Sequence, residues 1–141
     1  MSCEFTMDDI RIPELKLSQA EALIKKHDLG GIIELDGYDL HLTFDSMSYG
    51  TSLQVTDHLF PELAELLKDT PEDGQLIRTT CDDDITNYFF YNGKTEEISG
   101  DLVTITPELP IPVGQTVSIN LPVRVLGLPD GKAAIVEYNA K

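Results

Sequence analysis

Residues 75–98 read QLIRTTCDDDITNYFFYNGKTEEI, and this stretch decides the class of fold. Asn92-Gly93 is typical of a two-residue β-hairpin turn, because both central residues of that turn need a positive φ. Short runs rich in β-branched and aromatic residues flank the turn, so the stretch predicts strands at 75–80, 85–91 and 94–98. No helical period continues after Gly74, and the second half of the chain is therefore expected to be β structure.

Helical patterns are confined to the first half of the chain. The segment from Ser18 to Glu21 has the form of a capping box and predicts a helix over about 19–28, which Gly30 ends. A second helix is expected over about 57–68, with Asp57 as its N-cap and Pro61 in its first turn. Around these helices the sequence predicts an irregular segment or a short edge strand over 1–10, a hairpin of strands 31–36 and 38–45, and a short strand over 51–56.

The C-terminal third alternates apolar and polar residues. Val117, Ile119, Leu121, Val123 and Val125 follow one another at period two, which predicts one long strand, and a last strand is expected over 132–138 after a further one at 101–106. The elements together predict an α+β fold of about two helices packed on a mainly antiparallel sheet, or two sheets, of roughly eight strands with a C-terminal β-hairpin. A length of 141 residues fits one domain, and we expect a single acidic α+β domain over 1–141.

Charge is the global property that departs most from the average. The chain carries 25 acidic and 10 basic residues, a net charge of −15, and residues 1–101 contain 22 of the acids and 7 of the bases. Direct binding of nucleic acid or of an anionic membrane is disfavoured, because either ligand must be neutralised by Lys and Arg. The acid excess fits solubility, adaptation to high salt, or a surface that attracts a basic partner protein.

Motifs of catalysis, metal binding and cofactor binding are absent from the sequence. Asp82-Asp83-Asp84 lacks the alternating acids and central Gly of an EF-hand loop, and no phosphate-binding glycine loop is present. We therefore predict no catalytic, metal or cofactor residue and no cofactor. Cys3 and Cys81 lie far apart, outside any disulfide-rich pattern, and are expected to be free thiols. Since no signal peptide or long apolar segment is recognisable, we expect a cytoplasmic protein.

Three functions remain open at this point. The first is a non-catalytic protein-binding module, most concretely an acidic inhibitor or immunity-type protein that mimics nucleic acid and blocks a basic site on a partner. The second is an accessory subunit that docks through its neutral C-terminal hairpin. The third is a small enzyme with an unrecognised site, of which His41 with Asp39 or Asp45 is the first suspect.

The first function defines a candidate surface. Its residues are Asp82, Asp83, Asp84, Glu96 and Glu97, flanked by Tyr88 and Tyr91 as aromatic anchors. The expected partner is a basic protein, with no direct binding of nucleic acid or membrane. The oligomeric state is left open by the sequence.

Overall fold

The computed structural model describes residues 2–98, 102–104, 111–118, 123–129 and 132–138. The chain divides into two compact units, residues 1–96 and 97–141. Helices packed against antiparallel sheets, together with a C-terminal hairpin, confirm the predicted α+β class. The expectation of a single domain stays a prediction.

The first unit combines helices with two sheets. Its strands are β1 (Ser2–Met7), β2 (Ile10–Arg11), β3 (Ile33–Asp36), β4 (Asp39–Leu42), β5 (Ser46–Ser48), β6 (Gln75–Cys81), β7 (Asp84–Tyr91) and the start of β8 (Lys94–Ile98). Its helices are a 3-10 turn (Glu14–Lys16), α1 (Leu17–Lys26), α2 (Tyr49–Leu53), a π-helical segment (Gln54–Leu59) and α3 (Phe60–Leu67). The strands form one sheet in the order β5-β1-β6-β7-β8 and another in the order β2-β4-β3. Because β1 lies between β5 and β6, the expected irregular or edge segment at the N-terminus is wrong.

The second unit contains a four-stranded sheet. Its strands are β9 (Leu102–Thr104), β10 (Thr116–Ser118), β11 (Val123–Gly127) and β12 (Lys132–Tyr138), in the order β10-β11-β12-β9. Val117 lies opposite Val125 in an antiparallel pair, so the predicted single long strand is wrong and its two ends form separate strands. The final hairpin of β11 and β12 agrees with the prediction.

Residues 49–67 are helical without a break, which corrects the strand predicted over 51–56. Ser48 caps the start of α2, where its Oγ accepts a hydrogen bond from the Thr51 amide at 3.1 Å. One face of the helical run is buried at helical spacing: Ser52, Val55, Thr56, Leu59, Phe60 and Leu63. Burial of that face outweighs the β preference of the branched side chains, since local propensity spans only about 1 kcal/mol.

The boundaries of α1 also differ from those expected. The helix begins at Leu17, so Ser18 lies inside it and the predicted capping box does not form. At the other end Asp28 takes a left-handed conformation with φ 56°, a role predicted for Gly30. The Asp28 amide donates to the Lys25 carbonyl and the Leu29 amide to the Ile24 carbonyl, both at 3.0 Å. These two bonds form a Schellman motif, which satisfies the terminal carbonyls of the helix.

Aromatic contacts join α3 to the five-stranded sheet. Phe60 is fully buried and meets the rings of Tyr88 and Phe90 edge-on, with centroids 5.4 and 5.0 Å away. Edge-to-face geometry of this kind is the favoured arrangement for aromatic pairs. The helix-facing side of β7 is therefore held at a fixed distance from the helices.

The two cysteines form a disulfide, which corrects the expectation of free thiols. Cys3 in β1 and Cys81 in β6 have Cα atoms 5.6 Å apart, a separation typical of disulfides. They are 78 residues apart in sequence and meet only because β1 pairs with β6. No local pattern could have indicated this pairing.

We expect the double substitution Cys3→Ser, Cys81→Ser to lower the free energy of unfolding by about 2–4 kcal/mol, because the bond closes a long loop in the unfolded chain. Urea denaturation followed by circular dichroism measures the change. Reduction with dithiothreitol should destabilise the wild-type protein to a similar extent and leave the double variant unaffected. Equal stability of the oxidised protein and the variant would contradict the pairing.

Candidate functional site

A cavity of about 320 Å³ lies between α2 and the helix-facing side of the five-stranded sheet. Its lining residues are Phe5, Tyr49, Ser52, Leu53, Thr56, Thr79, Cys81, Asp84, Thr86 and Tyr88. Four of them lie on α2 and the π-helical segment that follows, at the spacing i, i+3, i+4, i+7 that places side chains on one helix face. The cavity therefore has one helical wall and one wall of strands.

The strand wall is built from cross-strand neighbours. Phe5 lies opposite Cys81, and Cys81 lies opposite Asp84, so β1, β6 and β7 contribute one residue each to the same row. Thr79 lies opposite Thr86 in the next row of the same face. Alternate residues of a strand share a face, which is why these rows point together toward the helices. The row that contains Asp84 adjoins the β6–β7 turn.

The buried hydroxyl groups of the cavity donate their hydrogens to acceptors within the protein. Ser52 Oγ donates to the Tyr49 carbonyl at 2.8 Å, and Thr79 Oγ1 donates to the Thr86 carbonyl at 3.3 Å. Thr56 Oγ1 lies 3.3 Å from two acceptors, the Ser52 carbonyl and a carboxylate oxygen of Asp57. A hydroxyl whose hydrogen is already used still has oxygen lone pairs that accept. These hydroxyl groups therefore offer hydrogen-bond acceptors to a ligand.

Three distant stretches that carry acidic residues meet at the end of the sheet beside this cavity. The Asp82 amide donates to the Glu4 carbonyl at 2.8 Å, and the Glu4 amide donates back to Asp82 Oδ1 at 3.1 Å. On the other side of β1, the Phe5 amide donates to the Asp45 carbonyl at 2.7 Å. We call the resulting surface the acidic end, and it consists of Glu4, Asp45, Asp82, Asp83 and Asp84, all of them exposed.

Positive charge is absent from the sequence stretches that build the acidic end. Residues 1–7, 42–57 and 79–93 contain no Lys or Arg. The same stretches also supply exposed apolar side chains, among them Phe44, Tyr49, Leu53 and Ile85, which are 57%, 38%, 53% and 55% exposed. The acidic end thus combines net negative charge with exposed apolar side chains, a combination that favours contact with a basic protein surface.

The predicted partner-binding residues are not all brought together. Asp82 and Asp83 form the β6–β7 turn and Asp84 begins β7, whereas Tyr91 lies at the other end of this strand. At 3.4 Å per residue, Asp84 and Tyr91 are separated by about 24 Å. Tyr91 is 39% exposed and stacks on Phe89 with ring centroids 5.5 Å apart.

Of the other predicted residues, two lie on the exposed surface and one lines the cavity. Glu96 and Glu97 lie on β8, next to β7 in the sheet, and both are exposed. Tyr88 is only 9% exposed and lines the cavity, where its ring also packs on Phe60. The predicted surface is therefore spread over two ends of the sheet. Glu4 and Asp45, which complete the acidic end, were missed because only the pairing of β1 brings them there.

A second polar cluster joins three helical segments and was not predicted. Glu62 in α3 accepts hydrogen bonds from the ammonium group of Lys26 and from Nε2 of His27, and the Gln54 side-chain amide lies 2.7 Å from Nδ1 of the same ring. With that amide donating to Nδ1, Nε2 carries the ring hydrogen and donates it to Glu62. The bonds from Lys26 and His27 hold the pKa of the Glu62 carboxyl below its ordinary value of 4.5.

The lowered pKa of Glu62 makes its contribution to stability dependent on pH. The contribution is complete above the unfolded pKa near 4.5 and is lost as the pH falls through the lower folded value. We expect Glu62→Gln to reduce the free energy of unfolding by about 1 kcal/mol at pH 7, since the carboxylate is partly solvated. Urea titrations at pH 7 and pH 3 should show the difference from wild type shrinking at the lower pH. Glu65→Gln, on the same helix, is the matched control, and a deficit that does not change with pH would contradict the assignment.

His41 has a different partner from those considered in the sequence. Its Nε2 lies 3.4 Å from Glu34 Oε1, across the β3–β4 hairpin. Asp39 instead lies 3.7 Å from the guanidinium group of Arg11, and Asp45 is held beside β1. The acid–base pair suspected for an enzyme is therefore not formed by either aspartate.

Among the described residues, no group of three or more His, Cys, Asp or Glu side chains has an arrangement suited to a metal ion. Within the same residues, none of the helices has the length and apolar character needed to cross a membrane. Comparison with protein-family models, curated proteins and solved structures finds no match for this chain.

Proposed function

We propose that this protein is a non-catalytic binding module whose acidic end occupies a basic site on a partner protein, in the manner of an inhibitor or immunity-type protein. The observation that carries the proposal is the convergence of Glu4, Asp45 and the β6–β7 turn at one end of a sheet, from stretches without Lys or Arg. Unopposed carboxylates create a local negative potential that accelerates encounter with a basic surface. A nucleic-acid-binding groove is one basic surface of this kind.

The rigidity of the β6–β7 turn supports the same proposal. Asp82 is fixed by reciprocal hydrogen bonds with Glu4, and the adjacent strands are joined by the disulfide. Carboxylates held in place lose little conformational entropy on binding, so more of the interaction energy appears as affinity. Exposed Leu53 and Ile85 supply apolar area next to the charges.

The test is a triple substitution of Asp82, Asp83 and Asp84 to Asn. Asn keeps the side-chain carbonyl that accepts from the Glu4 amide and tolerates the left-handed conformation of residue 82, so the turn should survive. The partner is obtained by affinity capture from the native host with the wild-type chain. We expect its association rate constant to fall about tenfold at low salt, with a flatter dependence on ionic strength.

A control variant removes equal charge elsewhere. Glu14→Gln, Glu21→Gln and Asp36→Asn are exposed positions in the 3-10 turn, α1 and β3, outside the acidic end. This variant should associate at close to the wild-type rate. If the association rate constant fell equally in both variants, net charge and not the acidic end would account for the effect, which would contradict the proposal. A captured partner without a basic cleft would also overturn it.

The compartment belongs to the same proposal. The cytoplasmic location expected from the sequence stays a prediction, and the Cys3–Cys81 bond counts against it, because cytosolic thiols are normally kept reduced. We infer that the protein works where this bond persists. Alkylation of the protein in its native host before any reduction, followed by mass spectrometry, should find both cysteines unmodified. Two alkylated thiols would support the cytoplasm instead.

A further inference from the structure

The cavity beside the acidic end has a chemical character of its own. Its walls include the rings of Phe5, Tyr49 and Tyr88, and one carboxylate, Asp84, lies among the lining residues. Among the described residues that line it, none is Lys or Arg. Aromatic faces attract cations through the ring quadrupole, and a carboxylate adds the opposite charge, so the lining favours an organic cation over an anion.

The hydroxyl groups narrow the ligand class further. Ser52, Thr56 and Thr79 have 7%, 8% and 4% exposure, and their hydrogens are directed to acceptors within the protein. Their remaining lone pairs accept hydrogen bonds. At these three hydroxyls a ligand that carries N–H donors satisfies the lone pairs, whereas a carbonyl or a phosphate would meet only acceptors. Ammonium and guanidinium groups have donors and no acceptor.

Size and position indicate where such a cation comes from. A volume of about 320 Å³ is at the lower end of ligand sites in proteins and suits one extended side chain better than a large cofactor. Asp84 belongs both to the cavity and to the acidic end, so the opening adjoins the surface proposed for the partner. A basic surface that approached the acidic end would bring lysine and arginine side chains to the cavity.

We propose that the cavity binds one lysine or arginine side chain of the partner protein, with the cationic group directed to Asp84 and the buried hydroxyl oxygens. The inference rests on the proposed function for the origin of that side chain. The aliphatic part of the side chain contacts Phe5, Tyr49 and Leu53, and the rings exclude water around the charge. The cavity thus selects the cation at short range, after the acidic end has attracted the basic surface.

The experiment is a titration of the isotope-labelled protein, followed by nuclear magnetic resonance. The probes are blocked lysine (Nα-acetyl-lysine N-methylamide), the corresponding blocked arginine and blocked norleucine, which has a neutral side chain of similar length. We expect both cations to shift the amide signals of Thr79, Thr86 and Tyr88 in a saturable manner, and norleucine to cause no saturable shift. Saturation by norleucine at equal affinity, or no saturation by either cation, would overturn the proposal.

Two neighbouring aspartates supply a matched pair of variants. Asp84→Asn removes the carboxylate of the cavity, and Asp83→Asn removes the same charge one residue away in the turn, outside the lining. Affinity for blocked lysine should fall about fivefold to tenfold in the first variant and less than about twofold in the second. Equal losses would show that the cation senses only the general field of the acidic end, which would contradict a built site.

A small free amine is the other source of a cationic group with the same hydrogen-bonding chemistry. Titration with n-butylamine distinguishes it from a side chain within a peptide. Comparable affinity for n-butylamine and blocked lysine is expected if the cavity accepts a side chain from a protein, and a preference of more than about tenfold for the free amine would overturn that assignment. Because no partner is needed for these titrations, their failure leaves the capture experiment intact, and failure to capture a basic partner leaves the titrations intact.

Discussion

The divided pairing of β1 is the constraint on which both the acidic end and the cavity depend. Residues Ser2 to Glu4 pair with β5, and residues Phe5 to Met7 pair with β6 on the other side. One strand thus joins the N-terminus, the segment before α2 and the β6–β7 turn. The Cys3–Cys81 bond ties the junction covalently and opposes its separation. Loss of this pairing would remove Phe5 from the cavity and Glu4 from the acidic end together.

Local signals in the sequence predict the fold where the neighbouring chain does not override them. Asn92 and Gly93 both have positive φ, as the predicted hairpin turn requires, and the strands around them lie close to their expected bounds. Prediction fails where packing decides: residues 51–56 favour a strand by composition but become helical because one helix face is buried. Alternation from Val117 to Val125 is the same for one long strand and for two strands of a hairpin, so periodicity alone cannot distinguish them.

The site was only partly predictable, for a related reason. Charge identifies Asp82, Asp83 and Asp84, since consecutive carboxylates are conspicuous in any sequence. Alternation indicates that Tyr88 and Tyr91 face opposite sides of a strand, yet it does not say which side is covered by helices. Glu4, Asp45 and the cysteines meet through pairings between residues far apart in sequence, and no short pattern encodes such pairings. The hydroxyl groups that line the cavity could not be predicted from the sequence either, because Ser and Thr are common in turns and strands.

The acidic end and the cavity act over different distances in the proposed mechanism, so they affect different steps of binding. The field of the exposed carboxylates extends over about one Debye length, roughly 8 Å at physiological ionic strength, and therefore governs encounter and its salt dependence. Contacts inside the cavity form only after water has been displaced, so they govern dissociation. Asp84 is the residue at which both effects meet, since it is exposed and also lines the cavity. The charge of the acidic end alone attracts any basic protein. A binder organised in this way therefore discriminates among basic proteins through the cavity, which favours a partner that presents a protruding cationic side chain.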